Sequence, residues 1–170
     1  MPDEAAITVR AVRDDERNWM ASTLARDWGS TQVARRGELV DAMAHPAYLV
    51  EADGQPAGLA VVAVRGDEIE VLSIGVSVRR RGAGRALMQR CASHGRETGC
   101  RRLWLTTTND NIGAIAFYQH IGLDLCALHR DAVDEARRLK PSISTHGEGG
   151  IPIKHELEFE LLLSPPRAVM

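Results

Sequence analysis

Hydrophobic and polar positions alternate over "AITVRAVR" (residues 6–13), which predicts a first strand. In "DDERNWMASTLARDWG", Trp19, Thr23 or Leu24, and Trp28 recur at helical spacing. Asp14 or Asp15 is the expected N-cap there, and Gly29 the stop. Residues 31–44 read as a second helix, ended by Pro46. "AYLVEADGQPAGLAVVAVRGDEIEVLSIGVSV" predicts an antiparallel meander over residues 47–52, 57–65 and 68–78, with tight turns at Asp53–Gly54 and Gly66–Asp67. Gly75 interrupts the third of these strands, which predicts a bulge or the close approach of a ligand's backbone-pairing groups.

Residues 83–98 carry an apolar stripe of Leu87, Met88, Cys91 and Ala92, and Gly99 stops that helix. "CRRLWLTTT" is the next strand, "NIGAIAFYQHIG" a short helix closed by Gly122, and "LDLCALHR" another strand. "DAVDEARRLK" is a helix stopping at Pro141. A Gly- and Pro-marked loop follows, and "HELEFELLL" alternates as a last strand. The order is β-α-α-β-β-β-α-β-α-β-α-β. A meander followed by strand–helix–strand connections implies a parallel pair, so the expected class is α/β (α+β) with a mixed sheet and helices on both faces. The whole chain, residues 1–170, reads as a single domain.

The length allows a sizeable core without staples. A net charge of -2 gives no overall reason to expect nucleic acid or a membrane as partner. Positive charge is local: Arg79, Arg80, Arg81 and Arg85 flank a glycine turn. Three cysteines, with no CxxC or Cys/His ligand spacing, read as free thiols in a reducing cytosol, and no metal site is expected. The N-terminus lacks a signal-peptide pattern and no apolar run approaches ~18 residues, so a cytoplasmic location is expected.

The turn "RRRGAG" leaves a strand and opens a helix, which is the setting of an anion site. The amides near Gly82, Ala83, Gly84 and Arg85 can converge on a phosphate, with arginines adding charge-assisted contacts. A P-loop's Gly-Lys-Ser/Thr is absent. The third small residue of a dinucleotide fingerprint is replaced by Leu87. A nucleotide-binding domain is therefore disfavoured.

Two segments resemble the GCN5-related N-acetyltransferases. "RRRGAG" (Arg79 to Gly84) is similar to that family's pyrophosphate loop. "NIGAIAFYQHIGL" (Asn111 to Leu123) is similar to its Asn-x-x-Ala-x-x-Phe-Tyr segment, with Leu123 in place of the usual Phe. The resemblance spans roughly residues 6–129 in element order. It implies a splayed mixed sheet, acetyl-CoA as cosubstrate, and transfer of an acetyl group to the primary amine of a small molecule or peptide. Homodimers are common in such a family.

The resemblance also distributes roles. Arg79, Arg81, Gly82, Ala83, Gly84 and Arg85 would hold the diphosphate. The backbone of Ile74, Gly75, Val76 and Val78 would pair with the pantetheine amides. Asn111 and Ala114 would face the cofactor, and Tyr118 would protonate the leaving thiolate. Without it, Tyr118 reads as a core tyrosine beside Phe117 and Ile121. Glu70 is the expected base, acting through a water. A carboxylate inside an apolar strand is unusual unless partnered or functional, although a half-exposed sheet residue is the plainer alternative.

The usual family end is a simple hairpin, but here about 131–155 intervenes as a helix and loop. It reads as either a surface excursion or a pocket wall bearing His146 and Glu148. Trp28, Arg35 and Arg36 are expected on the opposite acceptor wall. An acyl-CoA-binding sensor that has lost chemistry is the alternative to an enzyme.

Overall fold

The computed structural model describes residues 6–77 and 82–163. Contacts divide them into two compact units. The first holds the described residues up to Thr31, Ala42–Leu103 and Leu163; the second holds Gln32–Asp41 and Trp104–Leu162.

In the first unit, β1 (Ile7–Ala11), β4 (Ala47–Ala52), β5 (Gln55–Arg65) and β6 (Glu68–Val76) lie side by side in that order, each pair antiparallel. Asp53 and Gly54 both take left-handed φ values of 53° and 75°, the geometry that lets a two-residue hairpin follow the strand twist. β5 is buried continuously from Ala57 to Ala63, as its unbroken apolar run requires of a central strand. Helix α2 (Ala83–Glu97) packs on β4, β5 and β6, and buries the predicted Leu87, Met88, Cys91 and Ala92. Helix α1 (Arg17–Trp28) ends at Gly29, as expected. Its start differs from expectation. Asp14–Glu16 form a 3-10 turn, and Glu16, rather than Asp14 or Asp15, reaches back to the Arg13 N–H at 2.9 Å. The longer Glu side chain can close that ring from inside the turn, as in a capping box.

The second unit corrects two expectations. Residues 31–44 are not a helix. They form a hairpin of β2 (Gln32–Arg35) and β3 (Glu38–Asp41), followed by a 3-10 turn at Ala42–Ala44. Arg36 and Gly37 hold left-handed φ of 50° and 74°, so the chain reverses there, and Val33 pairs with Val40 across the hairpin. Four-residue strands give too short an alternation to compete with a helical reading of the sequence. The second correction concerns strand order. β7 (Arg102–Thr108) starts in the first unit and continues into the second. β9 (Glu156–Leu162) stands between β7 and β8 (Asp124–His129), so the β7–α3–β8 connection does not leave its strands adjacent. β9 runs antiparallel to β8.

Helix α3 (Ile112–His120) precedes β8. The intervening segment forms helix α4 (Ala132–Leu139), which packs on β2 and β3. Lys140 Nζ donates to the Gln32 carbonyl at 3.0 Å. The extra segment is therefore the support of the β2–β3 hairpin. Among the described residues no helix is long and apolar enough to cross a membrane.

Candidate active site

In the first unit, Gly82 caps α2 with φ 78°, and its missing side chain leaves the helix start without a side-chain cap. The first amide to bond back into the helix is Ala86, to the Gly82 carbonyl at 2.9 Å. The amides of Ala83, Gly84 and Arg85 precede that bond and lie at the positive end of a 15-residue helix. A Cβ on Gly82 would meet nothing within 4 Å among the described residues, and Arg85 is exposed beside it. An uncapped helix start of this kind fits a diphosphate. Val78, Arg79, Arg80 and Arg81 lie outside the described residues.

Strand β6 carries Glu70 and the Ile74–Val76 segment. The expected bulge is real but is not at Gly75. Val61 pairs with Ser73 and Val62 with Val71, so the extra residue is Leu72, while Gly75 stays in register with Leu59. The reason for glycine at 75 is a ring. A Cβ there would lie 3.0 Å from Trp28 Cη2 and 3.2 Å from Cζ2. The structure thus brings Trp28 onto the strand expected to align pantetheine. Glu70 is 2% exposed, opposite Ala63. Glu68, on the same face by alternation, sits at the hairpin end and receives Arg101 at 3.4 Å and Arg102 at 3.5 Å.

In the second unit, Asn111 caps α3: its Oδ1 accepts the Ala114 N–H at 3.3 Å. That use of the oxygen leaves the side-chain amide N–H groups for a ligand. Tyr118 is buried between Phe117 and Phe159, with ring centroids 5.7 and 5.5 Å away. Burial pushes its phenol up to about 12, so it keeps its proton across the neutral range.

Just ahead of α3, Asn109 straps the extra segment. Its Oδ1 accepts the N–H groups of Lys154 and His155, both at 2.9 Å, and its Nδ2 donates to the Pro152 carbonyl at 2.9 Å. Next to it Asp110, bonded to Thr108 Oγ1 at 2.5 Å, lies so close to Gly147 that no Cβ would fit there. His146 and Glu148 are exposed on this strapped loop, and His146 forms an isolated bridge with Pro152.

Arg35 and Arg36 lie at the hairpin end rather than on a helix. Arg35 is buried and pairs with Glu38 at 2.9 Å. The Arg36 N–H donates to the Glu156 carboxylate at 3.2 and 3.4 Å. Its guanidinium meets Glu158 at 2.5 Å and lies 5.7 Å from the Trp104 ring centroid. His129 Nε2 also meets Glu158, at 3.0 Å. Burial raises the Glu156 carboxyl above its ordinary range, opposed by the Arg36 N–H. Sequence reasoning missed Asn109 and Glu158. The signal used for Glu70, acidic residues alternating within an apolar strand, was present in "HELEFELLL".

Residues 12–123 match the model of the Acetyltransferase (GNAT) family. The chain is 32% identical over 152 residues to the uncharacterised protein YdhI of Bacillus subtilis, covering 86% of this chain and 92% of that one. It is 37% identical over 92 residues to streptothricin acetyltransferase of Streptomyces lavendulae, covering 52% and 49%. A GNAT family acetyltransferase from Elizabethkingia anophelis, solved with acetyl-CoA bound, superposes with a TM-score of 0.65 at 15% identity over 92% of this chain and 98% of that one. The chain belongs to the GNAT acetyltransferase family and is an acyltransferase.

Proposed function

We propose that the protein moves an acetyl group from acetyl-CoA to the primary amine of a small molecule by direct attack. The observation that carries this reading is the uncapped start of α2 at Gly82, inside the stretch matched by the family model. In this reading the amides of Ala83 to Arg85 bind the diphosphate, and the backbone of Ile74 to Val76 orients the pantetheine arm. An alkyl ammonium loses its proton near pH 10.4, so a base must take it at neutral pH. Glu70 is that base, through a water. The freed amine forms the new C–N bond at the thioester carbonyl, the C–S bond breaks, and the nitrogen gives up its second proton to solvent. Tyr118 gives its proton to the departing sulfur, and solvent restores it.

The similarity to streptothricin acetyltransferase over half of each chain makes streptothricin-type amines the first acceptors to try. Peptide N-termini and other small amines follow.

A thiol-release assay with acetyl-CoA and a panel of such amines tests the activity. Turnover with at least one amine is expected. Stabilisation by CoA without turnover on any amine would favour the sensor reading instead. For the acid, Tyr118→Phe is expected to lose at least about tenfold in kcat while keeping the thermal shift given by CoA. Full activity in that variant would remove Tyr118 from the role.

A further inference from the structure

We infer that the indole of Trp28 is the wall that keeps bulk water from the thioester on the face of β6 where Glu70 stands; the inference rests on the function proposed above. Gly75 serves no special backbone conformation. Its φ lies outside the left-handed region, and it stays in register with Leu59. Its side chain is missing because the Trp28 ring takes that place, with Cη2 3.0 Å and Cζ2 3.2 Å from where a Cβ would stand. Trp28 is the last residue of α1. Buried Met20, Thr23 and Leu24 anchor that helix, and Gly29, with φ 78°, ends it directly beyond the ring. Asp27 Oδ2 lies 4.0 Å from the same point and pairs with the exposed Arg26 at 2.9 Å, so the rim of the wall is charged.

The bulge decides which groups share that face. Glu70 and Gly75 are five residues apart, and an unbroken strand would set them on opposite faces. The extra residue at Leu72 reverses the alternation. Glu70 pairs with Ala63, Ser73 with Val61 and Gly75 with Leu59, and those three β5 positions alternate onto one face. Glu70, Ser73 and the seat of the indole therefore lie on one side of the sheet. Helix α2 packs on the other, where a Cβ on Gly95 would lie 2.7 Å from Ile69 Cγ2. β6 is buried from Ile69 to Ser73 but only half-buried from Ile74 to Val76, so the stretch assigned to pantetheine is the part that needs a cover. A base that works through a water carries a hazard. The same water can form a C–O bond at the thioester carbonyl and break the C–S bond, releasing acetate, a proton and the CoA thiol. Keeping out further water suppresses that side reaction, and a broad apolar ring seated directly on backbone is suited to the task.

Thiol release from acetyl-CoA with no amine present tests this, with transfer to an accepted amine and the thermal shift given by CoA measured alongside. Trp28→Ala should raise the amine-independent release by at least about tenfold, with acetate formed in equal amount and the CoA shift kept. Gly75→Ala pushes the ring off its seat and should leak as well; added to Trp28→Ala it should change little more. Trp28→Phe keeps a ring on Gly75 and should leak less than Trp28→Ala. Trp28→Leu keeps an apolar side chain at the end of α1 and serves in place of the alanine variant if that one does not fold. Release at the wild-type rate in the Trp28 and Gly75 variants, with amine transfer and the CoA shift intact, overturns the inference and leaves the proposed function standing. A wild-type chain that shows no CoA shift and no transfer overturns the proposed function, and this inference with it.

Discussion

Asn109 Oδ1 accepts two successive backbone N–H groups, from Lys154 and His155, while the Asn109 N–H donates to the His155 carbonyl at 3.0 Å. A single side chain thereby fastens the extra segment to the residue pair that leads into α3. Asn109→Ala strands two amides and frees the Pro152 carbonyl. A loss of about 1–3 kcal/mol is expected, with proteolysis or amide exchange rising first at residues 144–155. If the loop helps to bind the acceptor, its KM rises while CoA affinity holds.

Gly58 pairs with Val76 across the β5–β6 ladder, beside the Leu59–Gly75 pair. A Cβ on Gly58 would lie 2.7 Å from the Gly75 carbonyl oxygen and 2.9 Å from Val76 Cγ1. Backbone cannot yield as a side-chain tip can. Gly58→Ala should destabilise by about 1–3 kcal/mol, read as a lower midpoint in thermal or urea unfolding. It should also weaken CoA binding, because it displaces the strand assigned to pantetheine.

Tyr48 and His94 make a hydrogen bond of 2.6 Å between β4 and α2. Burial, with help from Arg90, lowers the His94 imidazole, so the neutral ring that accepts the Tyr48 proton is the favoured form. A depressed folded pKa contributes stability above the unfolded value of about 6.5 and loses it as pH falls through the folded one. The midpoint of urea unfolding should decline below about pH 6.5, and His94→Gln should flatten that decline.

Tyr118 shows the opposite sign. With its phenol held up to about 12, the folded state keeps a proton that the unfolded chain loses near 10. Its contribution is complete below about pH 10 and is lost as pH rises toward the folded value. Absorbance at the phenolate band should show no ionisation of Tyr118 below about pH 10 in the folded protein. Tyr118→Phe should remove one late-titrating group.

The legible parts of this protein were those written in local chemistry. The meander could be read because Asp53–Gly54 and Gly66–Asp67 punctuate alternating apolar runs, and α2 because its stripe repeats at helical spacing. The β2–β3 hairpin could not. Each strand has four residues, and it depends on Glu156 and Glu158, more than a hundred positions away, and on α4 beneath it. The bulge expected at Gly75 falls at Leu72 instead, and nothing near Gly75 in the chain points to the Trp28 ring that lies against it.

The sequence by itself determined the family, the glycine that opens α2 and the helix that bears Tyr118, because each rests on neighbouring residues whose spacing is set by the backbone. Only the tertiary structure decided that β9 enters between β7 and β8, that Asn109 holds the extra segment, and that Glu70 and Gly75 share a face. Those outcomes follow from long-range pairing and from one inserted residue at Leu72. Pairing free energy of that kind is a property of the assembled sheet and of no single stretch of chain.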